Sequence, residues 1–121
     1  METLKHTEQA AISKRLELPD YIVKRLCFYS RKLHRLYETS ANGSDRDKLP
    51  QESWEHYQAY SQKCLELNEK QEAKLWLAVE KLTAANQLYV YHQTDCRGIA
   101  LYISRTALND ANYDRDGIAL Y

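Results

Sequence analysis

The sequence predicts an α+β fold that is mostly α, with long antiparallel helices packed against a small C-terminal antiparallel sheet of about three strands. Three observations carry this reading. Only three Gly and two Pro stand among 121 residues, too few for the many turns of an all-β chain. Apolar residues between 20 and 40 recur at helical spacing. From residue 88 the pattern changes to β-branched and aromatic runs separated by Asp/Gly turns. The length fits a single domain, 1–121, with a helical part at 1–87 and a part at 88–121 made of a β-hairpin, a short helix and a final strand.

Residues 4–18 predict a first helix, with Thr7 as cap and Ala10, Ala11, Ile12, Leu16 and Leu18 in patchy order. The second helix is sharper. Pro19 suits a first turn, and Asp20 suits the positive end of the dipole. Ile22, Leu26, Tyr29, Leu33 and Leu36 follow at spacings of 4, 3, 4 and 3, one stripe of near-heptad period. Asn42-Gly43 is a stop, which places this helix at about 20–40. The polar run SANGSDRDKLP (40–50) is the flexible joint. A third helix starts near Pro50-Gln51 and runs toward Asn86. Trp54, Tyr57, Ser61, Cys64, Leu75, Val79 and Leu82 share one stripe, interrupted by Asn68 and Glu72 (or Gln71). That interruption predicts a break or a solvated turn near Asn68; the other reading is a buried polar contact that fixes helix register. This long helix is expected to pair with the second and to back the sheet.

Leu88-Tyr89-Val90-Tyr91 and Ile99–Ile103 flank the turn Thr94–Gly98, which makes a hairpin. Ser104 to Asn112 reads as the short helix, capped by Ser104 and stopped by Asn109 and Asn112. Tyr113–Gly117 is a second turn and Ile118–Tyr121 the last strand. The octet Asp-x-x-Gly-Ile-Ala-Leu-Tyr occurs twice, at 95–102 and 114–121. We read it as turn plus strand used twice, with Asp opening the turn and Gly taking an unusual dihedral.

Composition bounds the function. Lys+Arg equal Asp+Glu at 17 each, so no global field favours nucleic acid or membrane. No window approaches the roughly 18 apolar residues of a membrane span. The start METLKHTEQAAISKRLEL has no apolar signal region, and no lipidation motif is present. Cys27, Cys64 and Cys96 are odd in number and widely spaced, without a CxxC. These features predict a cytoplasmic protein with free thiols. Asn112-x-Asp114-x-Asp116-Gly117 begins like a calcium loop, but the bidentate Glu of position 12 would fall past residue 121, so a polar turn is expected and no metal. Three glycines cannot build a phosphate cradle, and no nucleophile elbow or paired-carboxylate motif is present. His92 with Asp95 and Cys96, beside Arg97, has the outline of a thiol site, but hairpin turns gather such residues without chemistry. We expect no catalytic residue, no cofactor and no enzyme; His92, Asp95 and Arg97 remain a candidate turn site.

Two features point to binding. Residues 20–40 carry Lys24, Arg25, Arg31, Lys32 and Arg35 against Asp20 and Glu38, five cations to two anions. Tyr21, Tyr29 and Tyr37 recur on the same helix, with Phe28 among them. Cations interleaved with aromatics suit phosphate backbones and bases, or an acidic protein surface. Residues 51–86 hold six Glu and four Lys, so the simplest account has the two helices facing each other with opposite charge excess. The chain also has ten Tyr against one Phe, and Trp54, Tyr57, Tyr60 and Trp76 crowd the third helix. Tyr60 and Trp76 fall off its stripe and are candidate anchors for a partner, the alternative being a helix buried between its neighbour and the sheet.

At YVYHQTDCRGIALYI (89–103) the chain resembles small uncharacterised proteins encoded by bacteriophages and prophages, which share a C-terminal YHQxDxRGxxLY motif. The matching residues are Tyr91, His92, Gln93, Asp95, Arg97, Gly98, Leu101 and Tyr102. Those proteins more often carry proline where this chain has Cys96, and the group has no established activity. Small phage accessory proteins usually act by binding. The resemblance therefore implies a non-enzymatic phage-type protein in the host cytoplasm that binds and inhibits or adapts a host protein or nucleoprotein complex, such as an anti-CRISPR-like or other anti-defence factor. The alternative is a nucleic-acid-binding accessory protein using the basic helix 20–40. A membrane partner is not expected.

Overall fold

The computed structural model describes residues 6–42 and 54–120. Helices α1 (His6–Leu16), α2 (Asp20–Asn42) and α3 (Trp54–Ala85) precede strands β1 (Tyr89–Asp95) and β2 (Gly98–Ser104), a one-turn helix α4 (Tyr113–Asp116) and strand β3 (Ile118–Ala119). Of the predicted joint at 40–50, residues 40–42 are the last turn of α2 and the rest, with the stop at Gly43, the start at Pro50-Gln51 and the last strand residue Tyr121, lies outside the described residues, as do the side chains of Trp54 and Tyr57.

Helix α2 organises the core. It buries the expected row at Ile22, Leu26 and Leu33, and beside it a second row, Val23, Cys27, Ser30 and His34. The second row has the same spacing of 4, 3 and 4, but Ser, Cys and His hide it from a hydrophobicity count. Because two rows are buried, α2 reaches α1 and α3 as well as β2. The sheet is thus backed chiefly by α2, not by the longest helix as expected.

Helix α3 runs unbroken through Asn68. The polar interruption of its stripe is therefore neither a break nor a fully buried contact. Asn68 and Glu72 are half-buried, and the Trp76 indole N–H donates to Glu72 Oε1 at 3.2 Å. Its 32 residues span about 48 Å against about 35 Å for the 23 of α2, so α2 cannot cover it all. Among its described side chains Val79 and Thr83 are the buried ones, both near the C-terminal end.

The sheet has strand order β1-β2-β3, antiparallel throughout. Val90, His92 and Thr94 lie opposite Ile103, Leu101 and Ile99, and Ile118 lies opposite Ile103. With a period of two, these residues share the helix-facing side, and Tyr91, Gln93, Ala100, Tyr102 and Ala119 share the outer one. Ile99, Leu101 and Ile103 are buried in the core.

The short helix is not at 104–112 but at Tyr113–Asp116. Side chains capture the intervening backbone. The Ser104 hydroxyl accepts the Thr106 N–H at 3.0 Å, and Asn109 Oδ1 accepts those of Ala111 and Asn112 at 2.9 and 3.1 Å. Asn112 Oδ1 accepts the Asn109 N–H at 2.7 Å in return. Such local bonds compete with helix, so the expected stops become the frame of a turn that leads into α4.

Helices α1 and α3 end alike. Glu17 and Gln87 are left-handed, with φ of 55° and 56°, and the next residue's N–H reaches back to Ser13 O (2.8 Å) or Thr83 O (2.7 Å). Each motif then buries a leucine, Leu18 or Leu88. Arg105 ties the two ends together. Its guanidinium donates to Leu16 O at 2.7 and 3.0 Å and to Asn86 O, a cation at the negative ends of two helix dipoles. Glycine tolerates the left-handed region without a Cβ penalty. Gln87→Gly is thus expected to raise stability by about 0.5–1 kcal/mol, read as a higher urea midpoint. A lower midpoint would show that the Gln87 side chain contributes more than its strain removes.

Candidate functional site

The solvent face of α2 assembles the basic residues predicted from sequence. Lys24, Arg31 and Arg35 fall along one side at i, i+7 and i+11, and Arg25 and Lys32 along the other at i and i+7. Tyr21 and Phe28 run between them, 64% and 44% exposed. Lys32 Nζ sits 5.5 Å from the Phe28 ring centroid, a cation–π contact, and the Tyr29 ring meets Phe28 edge-on at 5.6 Å.

Among the described residues none of the five cations is ion-paired. This corrects the expected charge match between α2 and α3. Apolar residues take the contact between the helices, and the cations keep their hydration on the opposite face. Arg31 alone bears on the core: burial pushes the Cys27 thiol up to about 11, with the nearby guanidinium opposing the shift. Cys27, Cys64 and Cys96 are all free thiols.

The two candidate anchors part company. Tyr60 is 41% exposed on α3. Trp76 is partly buried against the core, and its ring lies 4.8 Å from the His92 ring. Trp76 is therefore the seam between α3 and β1 rather than a free anchor.

At the hairpin tip, Asp95 Oδ1 accepts the backbone N–H groups of Arg97 and Gly98 at 2.8 and 3.2 Å, and Oδ2 lies 3.3 Å from the Arg97 guanidinium. The Arg97 amide, first of several donors, holds the Asp95 carboxyl below its ordinary value. His92 does not join this turn. It stands three residues back along β1, about 10 Å away, on the helix-facing side. The Cys–His–Asp constellation is not assembled. Gly98 has a φ of 152°, and a Cβ there would come within 2.8 Å of three ring atoms of His34.

Sequence reasoning missed a tyrosine cluster on the outer face of the sheet. Tyr91 stacks on Tyr113 at 4.6 Å and 13°, and Tyr102 meets Tyr113 edge-on at 5.0 Å. The Tyr91 hydroxyl donates to Asp110, which, with smaller contributions, pushes its pKa to about 12. The signal was there: Tyr91 and Tyr102 occupy outward positions of neighbouring strands. In the acidic loop, Asp116 pairs with Arg115 at 3.1 Å, and among the described residues no three His, Cys, Asp or Glu side chains group as a metal site. A shallow pocket of about 450 Å³ lies over Thr83, Gln87, Tyr89 and Arg105, but the guanidinium there already serves the helix carbonyls.

The chain matches no protein-family model, no curated protein and no solved structure. No helix among the described residues is long and apolar enough to cross a membrane.

Proposed function

We propose that this is a small non-enzymatic phage-type protein that binds and inhibits or adapts a host protein in the host cytoplasm, an anti-CRISPR-like or other anti-defence factor, and that the solvent face of α2 makes the contact. One observation carries the reading: five cations, none ion-paired among the described residues, flank an exposed aromatic row. That arrangement complements a surface with an apolar ridge between carboxylates. The host context rests on the motif at 89–103, and the mode of action would be steric occlusion.

Nucleic acid binding by the same helix is the alternative, favoured by Tyr21 at 64% exposure beside the cations. Phe28 argues against it. Base stacking needs an open ring face, and here Lys32 lies over the Phe28 ring and Tyr29 meets it edge-on.

The test is capture of a partner from host lysate by the native chain and by the double variant Arg25→Glu, Lys32→Glu. Charge reversal is expected to weaken the captured complex at least about tenfold, since removing one partner of a desolvated charge pair costs about 2–5 kcal/mol. Capture unaffected by the reversal would exclude this face. A shift of short DNA or RNA at low salt, lost in the same variant, would favour the alternative, because phosphate contacts strengthen as salt falls.

A further inference from the structure

The two edges of the sheet are unequal. β3 is two residues long, whereas β1 is seven and pairs on one side only. Natural sheets blunt such an edge with lysine, proline, a bulge or shortness. β1 has none of these. Its sequence YVYHQTD contains no Lys or Pro, and its register with β2 is unbroken from Tyr89↔Ser104 to Asp95↔Gly98. Its one Asp, Glu, Lys or Arg is Asp95, which is folded back into the turn. No described residue bonds its outer backbone edge, and His92, Gln93 and Thr94 are exposed.

We infer that β1 is a seam between two copies of this chain, paired antiparallel across that edge. The strand is compatible with itself when centred on His92. Val90 then faces Thr94 of the second copy, two β-branched side chains; Tyr91 faces Gln93; and Tyr89 faces Asp95, a phenol beside a carboxylate. His92 meets His92 of the second copy on the two-fold, no Asp, Glu, Lys or Arg of the strand faces one of its own sign, and a chain of zero net charge has no long-range repulsion between copies. The layer beneath adds to the contact. Round α3 from Trp76, which touches His92, runs the exposed row Ala73, Leu77, Glu80 and Ala84 at i, i+4, i+7 and i+11, apolar but for Glu80, with Leu77 52% exposed. The two-fold that joins the strands brings these rows together. Strand edge over helix row makes the contact two layers deep, and a stable interface of this kind buries about 800 Å² per partner.

Sedimentation equilibrium of the full chain through the micromolar range tests this. The expected result is a species of twice 14.2 kDa that dissociates on dilution. Gln93→Lys at the edge and Leu77→Glu on the row, both at exposed positions, are each expected to weaken it at least about tenfold while leaving the circular dichroism spectrum unchanged. A monomer throughout that range overturns the inference. So does a dimer indifferent to both substitutions, which would place the contact elsewhere. Neither substitution touches α2, so this seam and the α2 contact stand or fall separately.

Discussion

Deleting residues 118–121 is expected to unfold the whole chain. The segment is short, but it closes the core. Leu120 is 1% exposed and donates its N–H to Leu101 O at 2.9 Å, and Ile118 lies opposite Ile103. Removing the buried Leu120 and the partly buried Ile118 opens space beside the central strand, at up to about 2–5 kcal/mol each, and strips β2 of its second ladder. The sum, up to about 4–10 kcal/mol, matches the entire stability of a typical domain. Thermal melts of the full and truncated chains check it. A truncated chain that melts with the same midpoint would show that β3 is an ornament on a sheet complete without it.

Gly98→Ala carries the second large effect. The methyl group would overlap the ring of His34, which is 5% exposed and bonded through Nε2 to Glu38 at 3.3 Å. The backbone φ of 152° adds strain for any side chain. Overpacking and dihedral strain together predict a loss of about 2–5 kcal/mol, read as a lower urea midpoint. Combining it with His34→Ala removes the overlap and leaves the dihedral, so the double variant should lose less than the sum of the singles. Additive losses would place the strain in the backbone alone.

The repeated octet shows how far sequence reaches. Its first copy behaves as read: Asp95 opens the turn with its carboxylate and Gly98 takes the unusual dihedral. Its second copy does not. Gly117 has φ −89°, an ordinary value, and glycine is needed there because a Cβ would stand 2.5 Å from Tyr113 O. One motif thus serves a dihedral in one place and a close approach in the other, and only the three-dimensional neighbours separate them. Helices α1, α2 and α3 were legible from period and caps. The second buried row of α2 was not, since Ser30 and His34 look polar in one dimension. Nor was Arg105, whose partners lie up to 89 residues away in sequence. The cations of α2 could be read from the sequence; their orientation toward solvent instead of α3 required knowing which rows the core had claimed.

The position of β2 has a consequence for the order of synthesis. The wall of α2 formed by Val23, Leu26, Cys27 and Leu33 is made early, but the strand that packs on α2 arrives late. So does Arg105, which ties off α1 and α3. At about 5–20 residues per second, the 34 residues from 88 to 121 take about 2–7 s to add. Throughout that interval the nascent helices hold an unsealed apolar wall, the kind of surface that chaperones bind and that crowded chains share. The order of elements thus leaves the sealing of the α2 wall to strands made after all three long helices.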